Sequence, residues 1–486
     1  METIVNTINE YLWLYVLTYG LLAAGLYLTF KLGFIQFRHV REMIRTISAS
    51  GEREIGSISP FQALTISLAS RVGTGNIVGV AIALFYGGPG AIFWMWLVAL
   101  LGMATAFSES TLAQLYKART EDGSIRGGPE FYIARGLKLP WLGTVFAVLF
   151  AIAGLVFASV QSNSIAGAMN GAFNFPTWMT GAVVSILIGV VIHGGISRIA
   201  SVAEVIVPFM AAAYVFIALV VMAINITEVP DVIGTIFASA FGWQEAAGGA
   251  AGGVFAAMLN GVQRGLFSNE AGMGTVPHIA ASATPNPHHP VAQGFVQALS
   301  VFIDTIVICT ATAILILTSG VMGSDSTLKG IELTQAALSA HIGGAGSYFL
   351  AIAVLFFAFT TIMGIYSFTE NAISIVFGSN AVVQTMLKAV LLAATFWGSL
   401  QTVTLVFNMA DAIMGILATI NLVVILLLSG TVRKLTTDYI AQRRTGEPEF
   451  DIASFPELQD RVEPGIWSKE AASTSEAAKP AAKHAK

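Results

Sequence analysis

Charge is what this sequence lacks most. Asp, Glu, Lys and Arg make up 11% of its 486 residues, less than half the roughly 25% of a soluble globular chain. That shortage excludes a water-bathed surface over most of the chain. With hydrophobic residues at 55%, it marks a polytopic membrane protein. Cysteine is nearly absent. Cys309 stands alone in an apolar run, so there is no intrachain disulfide and no CxxC pair for metal or redox work, and it reads as core packing. A net charge of −4 and the lack of a basic stripe give nucleic acid nothing to bind. No stretch reads GxxxxGK[ST], which excludes an ATP-driven P-loop engine. HExxH, GxSxG and paired carboxylates are also missing from the apolar segments, so the chain does not read as an enzyme. A channel is disfavoured by the lack of a repeated pore loop. The N-terminus opens Met1-Glu2-Thr3, without a basic patch. Its apolar stretch, Tyr11 to Phe30, is followed by no small-residue cleavage site, and it reads as a mature helix, not a signal peptide.

What is present is apolar sequence in lengths near the roughly 20 residues that cross hydrocarbon. Eleven candidate spans lie near 11–32, 60–85, 89–116, 139–169, 178–193, 200–225, 250–277, 291–319, 347–376, 383–400 and 403–430. The fifth is short, and several others are long enough to imply tilt or a break. Cations gather in alternate loops: Lys31, Arg38, Arg41, Arg45 and Arg53, then Lys117, Arg119, Arg126, Arg135 and Lys138, then Arg198, and finally Arg433, Lys434, Arg443 and Arg444. The opposite loops hold one cation, Lys329, among Glu228, Asp231, Asp325 and Glu332. Positive loops stay cytoplasmic, which places the N-terminus outside and the C-terminus inside. Basic and apolar residues mix over Arg38 to Ser50, the composition of a short interfacial helix. From about 446 the chain has little to bury and ends in "SKEAASTSEAAKPAAKHAK"; this tail is expected to be disordered. "PNPHHP" at 285–290 reads as a turn, from its prolines.

Two spans are interrupted. "RVGTGNIVGV", residues 71–80, sets three glycines, a threonine, an asparagine and an arginine inside the second. Gly75 and Gly79 fit a small-xxx-small packing face, but Gly73 and Gly75 lie on different faces. Thr74 and Asn76 would also place polar groups in hydrocarbon. The reading that accounts for all of them is an unwound segment. Glycine leaves helical angles at least cost, and broken backbone at membrane depth survives where it lines a cavity. A helix start offers N–H groups to an anion, and a helix end offers carbonyls to a cation. "QRGLFSNEAGMGTVP", residues 263–277, interrupts the seventh span with Ser268, Asn269, Glu270, Gly272 and Gly274. Spans two to six and seven to eleven make two five-helix units. Five is odd, so the units run oppositely, as an inverted-repeat transporter requires. The chain divides into 1–59 (first helix and linker), 60–246 and 247–430 (the two repeats), and 431–486 (cytoplasmic tail).

"VGTGNIVGVA" at 72–81, "GGPGAIFWMWLVALLGMATAFSES" at 87–110 and "RGLFSNEAGMGTVPHIAA" at 264–281 resemble the alanine or glycine:cation symporter family of bacteria and archaea. Val72, Gly73, Gly75 and Asn76 also resemble the V-G-x-G-N break of sodium-coupled transporters with the leucine-transporter fold. The resemblance implies an all-α membrane protein of 11 transmembrane helices, a 5+5 inverted repeat preceded by one extra helix, in a cytoplasmic membrane. It implies Na+-coupled uptake of alanine or glycine by alternating access, with the bilayer as surroundings and no obligate protein partner. Gly73, Thr74, Gly75 and Asn76 would meet the substrate carboxylate. Gln161 would reach the substrate from the fourth span. The break around Phe267 to Gly272, with Asn269, would complete the pocket, and Phe267 would cap the small side chain. The resemblance places Na+ between the carbonyls of Ala69 and Val72, the hydroxyls of Thr360 and Thr361, and the Phe357 carbonyl. Arg71 beside this site is expected to turn away and pair with Glu270 or Glu109, because burying an unpaired charge costs too much. Glu109, Glu204, Arg264, Asp304, Glu370, Lys388 and Asp411 also fall in or near spans. Arg264 and Glu270 read as part of a gate, and Asp304 or Asp411 as a proton site if H+ replaces Na+.

Overall fold

The computed structural model describes residues 2–48, 57–120, 123–243, 250–322, 327–378 and 380–467. Arg53, Asp325, the boundary drawn at 246–247, the tail from 468 and the side chain of Glu204 lie outside the described residues. Helices dominate the rest. They are α1 Val5–Lys31, α2 Val40–Ser48, α3 Pro60–Arg71, α4 Gly75–Gly87, α5 Gly90–Leu115, α6 Pro140–Phe173, α7 Thr177–Ile192, α8 Gly195–Ile224, α9 Val229–Ala240, α10 Ala250–Asn269, α11 Pro277–Ser282, α12 Pro290–Leu317, α13 Ile331–Ile342, α14 Ala345–Phe377, α15 Ala381–Ser399 and α16 Val403–Thr445. A two-stranded hairpin, β1 Ala118–Arg119 and β2 Ile125–Arg126, follows α5.

Among the described residues seven helices are long and apolar enough to cross a membrane, or nine if each of two bent pairs is one span. The chain is therefore a multi-pass membrane protein. One bent pair is α3 with α4, at 51°. The other joins the half of α8 from Pro208 to α9 at 103°. α7, with 16 residues, falls short by length. α10 carries Gln263, Arg264, Ser268 and Asn269 in its last turns, and these hold its hydropathy down. Two further helices lie outside the eleven candidate spans. α9 and α13 have 12 residues each, too few to cross hydrocarbon.

The helix starts follow local chemistry. Ser59 and Gln62 form a reciprocal capping box ahead of α3, with Pro60 at the first helical position, which satisfies orphan N–H groups. Asn380 caps α15 through Val382 N–H (2.8 Å), and Thr402 caps α16. Two packing centres result. α5 packs on α10 and α12, while α6 packs on α14 and α15. The broken span α3–α4 runs between them, with α3 on α14 and α4 on α10.

The C-terminal expectation needs correction. α16 has 43 residues, about 65 Å at 1.5 Å per residue, so it runs roughly twice the ~30 Å hydrocarbon depth and ends at Thr445, not near 430. Residues 446–467 then fold back as an ordered strap. Phe450, Leu458, Ile466 and Trp467 are buried. The Trp467 indole N–H donates to Leu115 O (3.2 Å) and its ring lies 4.8 Å from Lys117 Nζ. Phe450 N–H donates to His288 O (2.9 Å), Arg461 to Gly136 O (3.1 Å), and Arg135 pairs with Glu463 at 2.7 Å. Four anchors without a helical or strand period were invisible to pattern reading. The 285–290 segment is a turn, as its prolines imply, and it receives this strap. Trp467→Ala should cost about 3 kcal/mol or more, as for a buried Trp. The check is the midpoint of thermal unfolding in detergent, and an unchanged midpoint would show that the strap is not fastened there.

Candidate functional site

The second span is broken where its glycines stand. α3 ends at Arg71, and Val72 takes an extended conformation (φ −72°, ψ 94°). The backbone then enters a π-helical stretch, Gly75–Gly79, a form that appears mostly at functional sites. The break releases N–H and C=O groups, and three of them find side chains. Gly73 N–H donates to Asn76 Oδ1 (3.0 Å) and Thr74 N–H to Gln161 Oε1 (3.3 Å). Since Gly73 N–H no longer serves the preceding turn, Ala69 O is met from across the interface by Thr361 Oγ1 at 2.9 Å. Thr361 Oγ1 also lies 2.9 Å from Phe357 O, as does Thr360 Oγ1. Ala69, Phe357, Thr360 and Thr361 thus assemble four neutral oxygens at one point between α3 and α14. That donor set suits a hard monovalent cation, not a transition metal. Val72 is buried beside them.

The glycines are explained by close approach. A Cβ on Gly73 would lie 2.6 Å from Thr361 Oγ1 and 3.0 Å from Gln161 Oε1. A Cβ on Gly75 would lie 3.0 Å from Ser268 Cα and 3.2 Å from Phe267 O. Gly79 has nothing nearer than 3.8 Å. The two interrupted spans therefore touch, backbone to backbone, at Gly75 and Phe267–Ser268.

Between them lies a narrow slot lined by Ser70, Arg71, Gly75, Phe157, Gln161, Phe267, Glu270, Met273 and Ile365. It is barely wide enough for one water molecule. Of the residues named from the sequence, Gly75, Gln161 and Phe267 line it, and Gly73 and Thr74 adjoin it through Gln161. The Phe267 ring packs between Phe157 and Phe407, with centroids 6.4 and 5.4 Å away. Asn76 faces the opposite way. Its Nδ2 reaches Asp304 Oδ1 (2.8 Å), Asp304 O (3.0 Å) and Ser268 Oγ (3.0 Å). Ser268 Oγ donates to Asp304 Oδ2 (2.6 Å), and so does Thr305 Oγ1 (2.9 Å). Cys309 Sγ, read as packing, lies 3.3 Å from Asn76 Nδ2 in the same cluster.

The second break is displaced from its expected place. α10 stays helical through Phe267 to Asn269, and the chain unwinds after it. Glu270 (φ 55°), Gly272 (φ 91°) and Gly274 (φ 89°) are left-handed, a region glycine enters freely and glutamate does not. Asn269 and Gly272 fall outside the slot. Asn269 Oδ1 accepts from Ala271 N–H (3.0 Å), and Gly272 N–H donates to Glu109 Oε1 (3.1 Å). Asn421 Nδ2 donates to Glu109 Oε2 and to Gly272 O, both at 2.9 Å.

Arg71 also departs from expectation. It lines the slot instead of turning away, is 2% exposed, and donates to Ser300 Oγ. It feels the charges of Glu270, Asp304 and Glu109, but among the described residues its Nε and Nη2 have no hydrogen-bond partner. Arg264 instead pairs with Asp411 at 2.5 Å and lies over Phe267 and Phe407. Sequence reasoning missed Ser70, Phe157, Met273 and Ile365 as slot residues, since they carry no signal beyond apolar or small composition. Glu270 was flagged for its charge alone.

A sequence model described as the sodium:alanine symporter family matches residues 1–452. The chain is 46% identical over 462 residues to the amino-acid carrier protein AlsT of Bacillus subtilis (strain 168), covering 94% of this chain and 97% of that one. It is 40% identical over 429 residues to a sodium/proton-dependent alanine carrier protein of Bacillus sp. (strain PS3), covering 85% and 95%. Among solved structures, MhsT in complex with L-phenylalanine superposes with a TM-score of 0.56 at 14% identity, over 78% of this chain and 90% of that chain. At that identity the likeness shows the fold alone, that of leucine-transporter-like carriers.

Gly73→Ala should destabilise the protein by about 1–3 kcal/mol, the cost of overpacking, while Gly79→Ala leaves it unchanged. Thermal unfolding of the two variants side by side checks this, and equal midpoints would mean that close approach does not dictate glycine at 73.

Proposed function

The chain belongs to the sodium:alanine symporter family, and we propose that it couples inward Na+ movement to uptake of small neutral amino acids, alanine and glycine, by alternating access. The observation that carries this reading is the meeting of two interrupted spans around one slot. Thr74, Gly75, Gln161 and Phe267 are the residues it assigns to the substrate, with Asn76 holding the broken segment in place through Gly73 N–H and Asp304. The slot must widen to admit any substrate, and the bulky side chains in its wall, Phe157, Phe267, Met273 and Ile365, favour a small one. Its two charged walls, Arg71 and Glu270, carry the charges of a zwitterion in reverse. Na+ is assigned to Ala69, Val72, Phe357, Thr360 and Thr361. The ion draws the α3 carbonyls and the α14 hydroxyls together, and the same peptide segment carries the substrate N–H groups three to five residues on.

The reading includes eleven spans in two inverted five-helix repeats, residues 60–246 and 247–430, after one added helix. By the positive-inside rule, the end bearing α2, the hairpin and the strap faces the cytoplasm. A second reading, coupling to H+, is favoured by one observation. Asp304 is fully buried and holds Asn76 of the first break and Ser268 of the second at once, so a proton taken there would act on both.

The deciding measurement is uptake of labelled alanine and glycine into proteoliposomes under an inward gradient of Na+, H+ or neither. Uptake should follow Na+, and Asn76→Ala and Thr361→Ala should each abolish it while the protein stays in the membrane. Na+ should also raise the unfolding temperature of the wild type, by linkage about 2.7 kcal/mol at a hundredfold excess over Kd, but not that of Thr361→Ala. Sodium-driven transport by either variant would remove that residue from the site, and uptake that follows H+ alone would favour Asp304.

A further inference from the structure

The end of α1 carries a surface that transport does not use. α1 stops at Lys31, whose Nζ reaches the Tyr27 hydroxyl (2.6 Å) and Ser429 Oγ (2.8 Å). Two consecutive left-handed residues, Gly33 (φ 69°) and Phe34 (φ 60°), turn the chain into a one-turn helix, Ile35–Arg38, and then into α2. Three strips run along this segment. One faces the protein: Ile35, Gln36, Met43 and Thr46 are buried, and Gln36 Nε2 donates to Thr29 Oγ1 (2.8 Å). The second is apolar and bare, with Phe37 53% and Ile44 57% exposed and Val40 between them. The third is basic and exposed: Arg38, Arg41 and Arg45.

The apolar strip continues the outer face of a membrane-spanning helix. Phe30 of α1 is 62% exposed, and its ring lies 5.0 Å from that of Phe34, which leads to Phe37. Apolar side chains left bare here continue a lipid-facing row, so lipid covers them. The charge beside them is of one sign. Among the described residues none of Arg38, Arg41 and Arg45 forms an ion pair with a carboxylate. The acid of α2, Glu42, is already committed to Arg443 (2.7 Å) and the Tyr439 hydroxyl (2.6 Å) of α16. Burial pushes its carboxyl up, but the Arg443 and Tyr439 bonds outweigh this and hold it below the ordinary carboxylate range. His39 is held below its usual value by burial and by the charge of Arg38, so it stays neutral at pH 7. Arg444 adds a further exposed cation nearby.

We propose that this surface binds the head groups of anionic phospholipids, with Arg38, Arg41 and Arg45 on the phosphates and Phe37, Val40 and Ile44 seated at the acyl boundary. A zwitterionic lipid offers the same phosphate but brings its own cation, which the arginines repel. An anionic lipid lacks that cation. Two signals on one short helix, apolar burial and charge, are what a lasting interfacial contact takes.

Native mass spectrometry of the full chain in detergent, mixed with equal amounts of phosphatidylglycerol and phosphatidylcholine, tests this without reference to transport. The wild type should retain phosphatidylglycerol preferentially. R38Q/R41Q/R45Q should lose at least about tenfold of that preference, since each surface cation contributes several-fold, while R38K/R41K/R45K keeps it. Ile44→Ser should lower retention of both lipids alike. These exposed positions leave the fold intact, and the unfolding midpoint of each variant confirms that. Equal retention of the two lipids by the wild type, or a preference that survives loss of all three arginines, overturns the proposal. So does a dimer that shuts both lipids out of this face.

Discussion

Backbone groups released at Val72–Thr74 have no solvent to turn to, and their need for partners organises the centre of the molecule. An unsatisfied N–H or C=O in hydrocarbon costs several kcal/mol, so the break persists because other elements supply what a continuous helix would have supplied. α6 gives Gln161 to Thr74 N–H, α14 gives Thr361 to Ala69 O, and the segment's own Asn76 serves Gly73 N–H. Each partner must come close, which is why Gly73 and Gly75 carry no side chain. The broken span is thus fastened to the α6–α14 side through Gly73 and to α10 through Gly75. Five residues hold both packing centres.

That arrangement gives a physical route for coupling. The candidate cation oxygens and the candidate substrate N–H groups belong to one peptide segment, and Thr361 and Gln161 both stand against Gly73. A ligand that draws Ala69 O toward Thr361 fixes the angles of Val72 and Gly73, and with them the direction of the next N–H groups. No distant relay is required.

Much of this was legible in the sequence, and the rest failed for identifiable reasons. Glycine with polar residues inside an apolar run is a local signal, and the stretch it marked, 71–80, contains the first break. The second was placed about three residues early, because its first unwound position is Glu270 in a left-handed conformation that sequence patterns assign to glycine. Thr361 was reachable only through the resemblance to a known family, since paired hydroxyls on a helix are common and its partner Ala69 lies 292 residues away. Asp304 with Asn76, and Glu109 with Asn421, are separated by 228 and 312 residues; each was visible as a buried charge, but not as a bond. The strap at 446–467 escaped because its anchors, Phe450 to Trp467, follow no period. The burial of Arg71 in the slot wall escaped because an unpaired guanidinium is normally excluded from such a place.

The carboxylates explain how so polar a centre is tolerated. Among the described residues Asp411 is held by a cation, Arg264. Glu109, Glu270 and Asp304 are held by neutral donors that the breaks supply or position: Gly272 N–H and Asn421 for the first, Thr275 for the second, Asn76, Ser268 and Thr305 for the third. An acid fastened by a cation loses most of its partner's attraction when it is protonated. One fastened by hydroxyl groups, as Glu270 and Asp304 are in part, keeps its place, because a hydroxyl can donate to the carboxylate or accept from the acid. Glu109 clamps unwound backbone directly, through Gly272 N–H, while Glu270 and Asp304 hold side chains of or beside the breaks: Thr275, Asn76 and Ser268. Helix breaks and buried carboxylates occur together here because residues of or beside the breaks, Gly272 by its N–H and Asn76 and Ser268 by their side chains, supply donors to the acids.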